Sequence, residues 1–361
     1  MLRISRFSAV ILALTVSFAA CTDGTGVNDE PFDADASAAD LEVVQSAFTA
    51  SVFESLAISS QTFGLVADTT PLPVSLLQAS VAAATAGSHW EGAAVAQAFA
   101  AGPASGPLLP DVYLGRTYVR DVDGYVWDET RSDAPADGVR FVLYEVDPIT
   151  GTPGTTEIGY VDLTDESTTL AYVARVKVVT NSVVRIDYSV SAVVGVGVLT
   201  LTVDGFIDDG TNRVEVNLSM AYVNDPPVER VTVVHSFSVP SRGFEVDATV
   251  VFEFNNETLA GSIDINAAFS EGDHSVTFTG VIEIDEGDFP SESGTFEIHV
   301  DGLLFATIVV GNDTVTVQNG TGHELTAAEI QAVRSIFDGL QEMFDERFED
   351  FLRPVAWMFD R

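Results

Sequence analysis

Lysine and cysteine are all but absent from this chain: Lys177 and Cys21 are the sole examples of each in 361 residues. A single thiol can close no disulfide within the chain and build no multi-cysteine metal cluster. Basic residues are scarce as a class, 16 against 54 acidic ones, and the formal net charge is −38. Removal of residues 1–20 would take away Arg3 and Arg6 and no acid, leaving −40. A body this anionic repels phosphate backbones and anionic bilayer surfaces, which excludes nucleic acid as a partner. An acidic, lysine-poor surface fits salty surroundings, where self-repulsion is screened. A GC-rich genome would leave the same preference for arginine.

Chemical signatures are missing as well. No two of His89, His235, His274, His299 and His323 stand at a metal-binding spacing. There is no Gly-x-Ser-x-Gly elbow. There is no glycine-rich phosphate loop, because Gly195 and Gly197 interrupt a strand rather than open a helix. His235 falls on the apolar parity of its strand and His299 on the polar parity of its own. A lone histidine in a strand is most often structural, so a hydrolase would need the fold to gather one of them with acids. Asp121, Asp123 and Asp128 around Gly124 outline a calcium loop but lack its ligand series and terminal glutamate, and a polar hairpin is expected instead. Asp208-Asp209 and Glu286/Asp288 sit at turns, where carboxylates serve local hydrogen bonding. The sequons at Asn217, Asn256, Asn312 and Asn319 have no eukaryotic secretory context. No catalytic, cofactor-binding or metal-ligating residue is assigned, and a non-enzymatic role is expected.

What is present begins at the N-terminus. Arg3 and Arg6 precede an apolar stretch from Phe7 to Phe18, followed by Ala19-Ala20-Cys21. That is the order of a secretory signal peptide over residues 1–20. The apolar part is too short to cross a bilayer core, which needs ~20 residues, and no later run of 18 uncharged apolar residues occurs. An ordinary cleaved signal ending near Ala20 is the plainer reading. Phe18-Ala19-Ala20-Cys21 also resembles the lipobox of bacterial lipoproteins, with phenylalanine where that pattern usually has leucine. The resemblance implies lipidation of Cys21 through a diacylglyceryl thioether bearing acyl chains such as palmitate. The membrane then becomes a partner through an N-terminal lipid anchor, and the cell envelope becomes the address. Thr22, where an aspartate would signal inner-membrane retention, points to the outer membrane. Thiolate chemistry suits that modification, and the chain has no second cysteine to give this one another use.

Residues 21–39 are rich in Asp, Gly, Ser and Ala with no basic residue, a composition that predicts a flexible acidic tether. Residues 40–110 read as a helical, alanine-rich region. Asp40 is the expected N-cap of a helix over 40–60 whose stripe is Leu41, Val44, Phe48, Val52 and Leu56. Residues 74–101 predict one or two further helices, ended by the Gly/Pro punctuation of 102–110.

Residues 111–322 switch to a period of two. In 213–223, Val214, Val216, Leu218, Met220 and Tyr222 share one face; in 244–254, Phe244, Val246, Ala248, Val250, Phe252 and Phe254 do. Such alternation marks antiparallel strands with one buried and one solvated face. Turn signals at Asn181-Ser182, Gly195, Asp209-Gly210, Asp225-Pro226, Ser241-Arg242, Asn255-Asn256, Gly272-Asp273 and Gly287-Asp288 recur every 14 to 17 residues. They predict an up-and-down meander of 11 to 14 strands. Residues 323–361 return to a helical period, with Thr326 and Glu329 as a capping box. The stripe there is Ile330, Val333, Phe337, Leu340, Phe344, Phe348 and Phe351, and Pro354 is expected to end or kink it.

The expected fold is mainly β with flanking helices: a large antiparallel meander forming a barrel, half-barrel or sandwich, covered by N- and C-terminal amphipathic helices. A transmembrane barrel is disfavoured by the C-terminal helix and the absence of aromatic girdles. The function read from the chain is that of a lipid-anchored envelope protein with a structural or binding role. The alternative is a carrier or receptor for a lipid or other apolar ligand, similar at fold level to the half-barrels of envelope lipid carriers.

Overall fold

A computed structural model describes residues 46–60, 63, 107–121, 124–147, 150, 152–195, 197–258, 260–271, 274–284, 292–311, 314–320, 351, 353–355 and 358. The signal, the tether, Asp40 and the segments 74–101 and 323–350 lie outside them. The chain divides into two compact units. The first comprises Val44–Ala82, Glu91–Ser219 and Glu346–Arg361; the second comprises Met1–Val43, Ala83–Trp90 and Met220–Asp345.

Helix α1 (Ser51–Ser60) belongs to the first unit, with strands β1 (Arg116–Asp121), β2 (Gly124–Trp127), β3 (Gly138–Val146) and β4 (Pro153–Asp165). So do β5 (Tyr172–Thr180), β6 (Val183–Gly195) and β7 (Val198–Asp208), while β8 (Arg213–Asp225) begins in the first unit and ends in the second. The second unit adds β9 (Val228–Val239), β10 (Phe244–Asn255), β11 (Gly261–Glu271) and β12 (His274–Ile284). Its last strands are β13 (Glu292–Val300), β14 (Leu303–Gly311) and β15 (Thr314–Asn319). All fifteen strands belong to one mostly antiparallel sheet, in the order β15 to β3 and then β1 and β2. Closure into a barrel is not found. It requires the end strands to pair, and among the described residues β2 and β15 each have one neighbour.

The turns explain the meander. Asn181 and Ser182 both adopt positive φ, 51° and 63°, as a tight hairpin between right-twisted strands requires. Asp301 and Gly302, at 49° and 78°, repeat the device between β13 and β14, a turn absent from the sequence-derived series. One connection departs from the pattern. β1 pairs with β2 as a hairpin but with β3 in parallel, through Arg116↔Val139 to Tyr118↔Phe141. A two-residue turn cannot join parallel strands. The crossing from β1 to β3 runs through β2 and then residues 128–137, opened by Asp128, whose Oδ1 accepts from the Thr130 amide at 3.0 Å and its hydroxyl at 2.6 Å.

Period-two burial is clearest in β8, where Val214, Val216, Leu218, Met220 and Tyr222 are all buried. In the second unit Phe278 and Phe296 stack with centroids 5.1 Å apart. Gly280 stands opposite Phe296, and a Cβ there would lie 2.2 Å from the ring. A bare backbone lets the aromatic lie flat across the strand.

In the first unit α1 packs on β3 and β4, and Ser55 Oγ donates to the Tyr144 carbonyl at 2.8 Å. The continuous helix expected over 40–60 is broken: residues 46–48 are helical, and Thr49 and Ala50 interrupt before α1 begins. Thr49 Oγ1 donates to the Ser46 carbonyl at 3.3 Å, the local side-chain bonding by which threonine competes with a helix. Around the break Phe48 and Phe53 both reach Phe351, at 5.8 and 5.5 Å between centroids. The Tyr188 hydroxyl donates to the Phe351 carbonyl at 2.9 Å, so the C-terminal segment is tied to β6. Residues 353–355 are helical, and Pro354 does not end the segment.

Candidate functional site

Cys21, the one residue given a chemical role by the sequence, lies outside the described residues, as do His89 and His323. His235 and His299 are both described and are not brought together. His235 lies on β9 opposite Ala248, on the apolar face, with the Phe237 ring edge-on at 6.2 Å. Burial alone pushes its pKa down to about 4, so the imidazole is neutral at pH 7. His299, on β13, follows the opposite parity, opposite Thr277 of β12. Its Nε2 is 3.8 Å from Glu297 Oε2, near the outer limit for an ion pair. No group of three His, Cys, Asp or Glu able to hold a metal occurs among the described residues.

The outlined calcium loop is a hairpin. Asp123 lies outside the described residues, and Asp128 spends both carboxylate oxygens on its own turn, through Thr130 and the Arg131 guanidinium at 3.2 Å. Those bonds, the Thr130 hydroxyl's first, hold its pKa below the usual carboxylate value. Asp209 Oδ1 similarly accepts from the Thr211 and Asn212 amides at 2.6 and 2.7 Å, and Asp208 Oδ1 from the Gly210 amide at 2.7 Å.

The most elaborate polar assembly among the described residues was not legible in sequence motifs. Arg140, the third residue of β3, is 8% exposed. Its Nε and Nη2 donate to Asp162 Oδ1 and Oδ2 at 2.6 and 2.8 Å, a two-pronged bond across the β3–β4 ladder. Nη1 donates to Asp133 Oδ2 at 2.6 Å, and the guanidinium carbon lies 3.5 Å from the Tyr160 ring centroid. Burial works to lower the Arg140 pKa, but Asp162, Tyr160 and Asp133 together outweigh it and the net shift is upward. Beyond the cluster the polar row continues through Lys177 and Asp187, and Arg175 grips Asp187 with Nε and Nη2 at 2.8 and 3.0 Å.

This chemistry fastens rather than transforms. A guanidinium stays protonated, and here two carboxylates and an aromatic face occupy it, so it moves no proton. Through Asp133 it ties the 128–137 connection to β3 and β4, which holds the parallel β1–β3 pairing in place. A signal for it exists in the arginine inside the apolar run GVRFVLYEV (138–146), but its partner is known only once Arg140 is in register with Asp162. Comparison with known proteins adds no relative: the chain matches no family model, no curated protein and no solved structure.

Proposed function

We propose that this chain is a lipid-anchored protein of the bacterial cell envelope, acylated at Cys21, whose β-rich body has a structural or binding role without catalysis. The observation that carries the reading is Phe18-Ala19-Ala20-Cys21 at the close of a charged, apolar, small-residue N-terminus. Residues 21–39 then serve as a tether, and Thr22 directs the anchor to the outer membrane. The acidic body supports an anchored arrangement, because it is repelled by the anionic surface its lipid is fixed in. Amphipathic segments at both ends cover the apolar face of the sheet in this reading, in the manner of α1 over β3 and β4. A second reading, carriage of an apolar ligand, is favoured by β10, where Val250, Phe252 and Phe254 are only half-buried although Phe244, Val246 and Ala248 are buried.

Mass spectrometry of the chain, expressed with its own signal in a bacterial host and purified from membranes, tests both. The expected species begins at Cys21 and carries a covalent diacylglyceryl group, and Cys21→Ser carries none and keeps its signal. An unmodified chain that starts near Cys21 would replace anchoring with plain secretion. Non-covalent lipid that survives under native conditions supports carriage; a lipid-free body removes it.

A further inference from the structure

The sheet has two edges, and they are built differently. An edge strand offers a row of backbone N–H and C=O groups to any strand that approaches, and natural sheets blunt it with brevity and charge. β2 is blunted in this way. It has four residues, it is followed by Asp128 and Glu129, and the Arg116 guanidinium lies 4.0 Å from the Trp127 ring centroid. β15, TVTVQN, has six residues with no charge, no proline and no glycine. β14 beside it, LLFATIVVG, has no charged residue either. In the second unit the large apolar side chains exposed among the described residues are Leu303, Leu304 and Val309, all on β14.

We propose that β15 is a self-association edge, pairing antiparallel with β15 of a second copy about a two-fold axis at Thr316. Charge names the occupant. A chain of net charge −38 approaches its own copy at least cost where charge is sparse, and β14 and β15 carry none within the strands, with Asp313 the one charge between them. An antiparallel strand pair is also complementary to itself, as a two-fold interface requires. Residues directly opposite in such a pair share a face, so the axis must pass through a residue if like is to meet like. An axis at Thr316 sets Val315 against Val317 and Thr314 against Gln318. An axis at Val317 would set Val315 against Asn319. The proposal goes beyond lipid anchoring and holds whether or not Cys21 is acylated.

Site-specific oxidation of the full chain in detergent tests it, with the unsubstituted chain controlling for Cys21. In Thr316→Cys the two introduced thiols face each other within disulfide reach, and conversion to a covalent dimer is expected. In Gln318→Cys they stand four residues apart along the pair, ~13 Å, and no dimer is expected. Sedimentation of the unsubstituted chain should give twice the chain mass. Thr316→Lys, at an exposed position, should return it to one chain mass with its thermal midpoint unchanged. A monomeric unsubstituted chain, equal crosslinking at both positions, or crosslinking at neither would overturn the proposal.

Discussion

Arg140 in the first unit and His235 in the second are both strand residues with little solvent exposure, 8% and 3%, yet one stays charged and the other neutral. Arg140 cannot shed its proton, so the first unit surrounds it with Asp162, Asp133 and the Tyr160 ring. His235 can, and burial holds it neutral beside Phe237. The polar faces differ in the same sense. Residues 111–219 hold eight basic and eighteen acidic side chains, while residues 220–320 hold two and seventeen. Arg131, Arg140, Arg175, Arg185 and Arg213 all bridge acids in the first unit. In the second, Arg230 pairs with Glu253, and His299 stands at long range from Glu297. The first unit pairs a larger share of its acids within the fold than the second, which has two arginines for seventeen acids over residues 220–320.

The strongest test of that contrast removes Arg140. Arg140→Met should cost about 3–5 kcal/mol in urea unfolding, because it strands the Asp162 carboxylate, whose side chain is 15% exposed. Asp133, 67% exposed, can return to water and adds little. Arg140→Met with Asp162→Leu should recover most of the loss, since a well-packed apolar pair replaces a buried ion pair at little cost. A single-variant loss below about 1 kcal/mol would mean that the cluster is not what holds the 128–137 connection.

That cluster also marks the limit of reading from sequence. Alternation in 213–223 and 244–254 assigned strands, and in 213–223 and 244–248 faces as well, because one buried face forces a period of two; beyond Ala248 both faces of β10 are half-buried. The hairpin at Asn181-Ser182 was legible for a similarly local reason, the positive φ those residues tolerate. The parallel β1–β3 pairing was not, because it depends on a non-local crossing whose fastener, Asp133–Arg140–Asp162, joins three separate segments. The break at Thr49 was hidden by a stripe that runs through it: Phe48, Val52 and Leu56 are buried as the stripe requires. Phe53 lies off the stripe and is buried too, because Phe351 arrives from the far end of the chain. The site with the clearest sequence signature, Cys21, falls outside the described residues, so its chemistry rests on the pattern around it.

His235 gives the second unit a pH dependence that Arg140 cannot give the first. Its folded pKa is about 4 against about 6.5 unfolded. Its stabilising contribution is therefore complete above pH 6.5 and declines as pH falls toward 4, because the unfolded chain takes up a proton that the folded one refuses. The limiting slope is ~1.4 kcal/mol per pH unit. Protonation of the many carboxylates acts over part of the same range, so the measurement is a difference. Unfolding of the wild-type chain and of His235→Phe is followed at pH 7, 6 and 5. The gap should move against the wild type at each step down, whereas parallel curves would show that His235 takes up its proton while folded.

The smallest effect is the most direct probe of the polar faces, because one substitution should carry opposite signs in the two units. Asp187→Asn in the first unit removes the carboxylate that Arg175 grips and should lower stability by roughly 0.5–1 kcal/mol. Asp264→Asn in the second removes an exposed acid that stands between Val251 and Val281 on the ladder. With no cation opposite it and like charges along the face, its loss should raise stability by a few tenths of a kcal/mol at low salt. In 1 M salt, where the screening length is ~3 Å, that gain should vanish, and the thermal midpoint of the wild-type chain should itself have risen. Thermal melts of both variants at 0.05 and 1 M NaCl decide the point. If Asp264→Asn destabilises, or its gain persists in molar salt, the acids of the second unit are held by the fold and the contrast between the units fails.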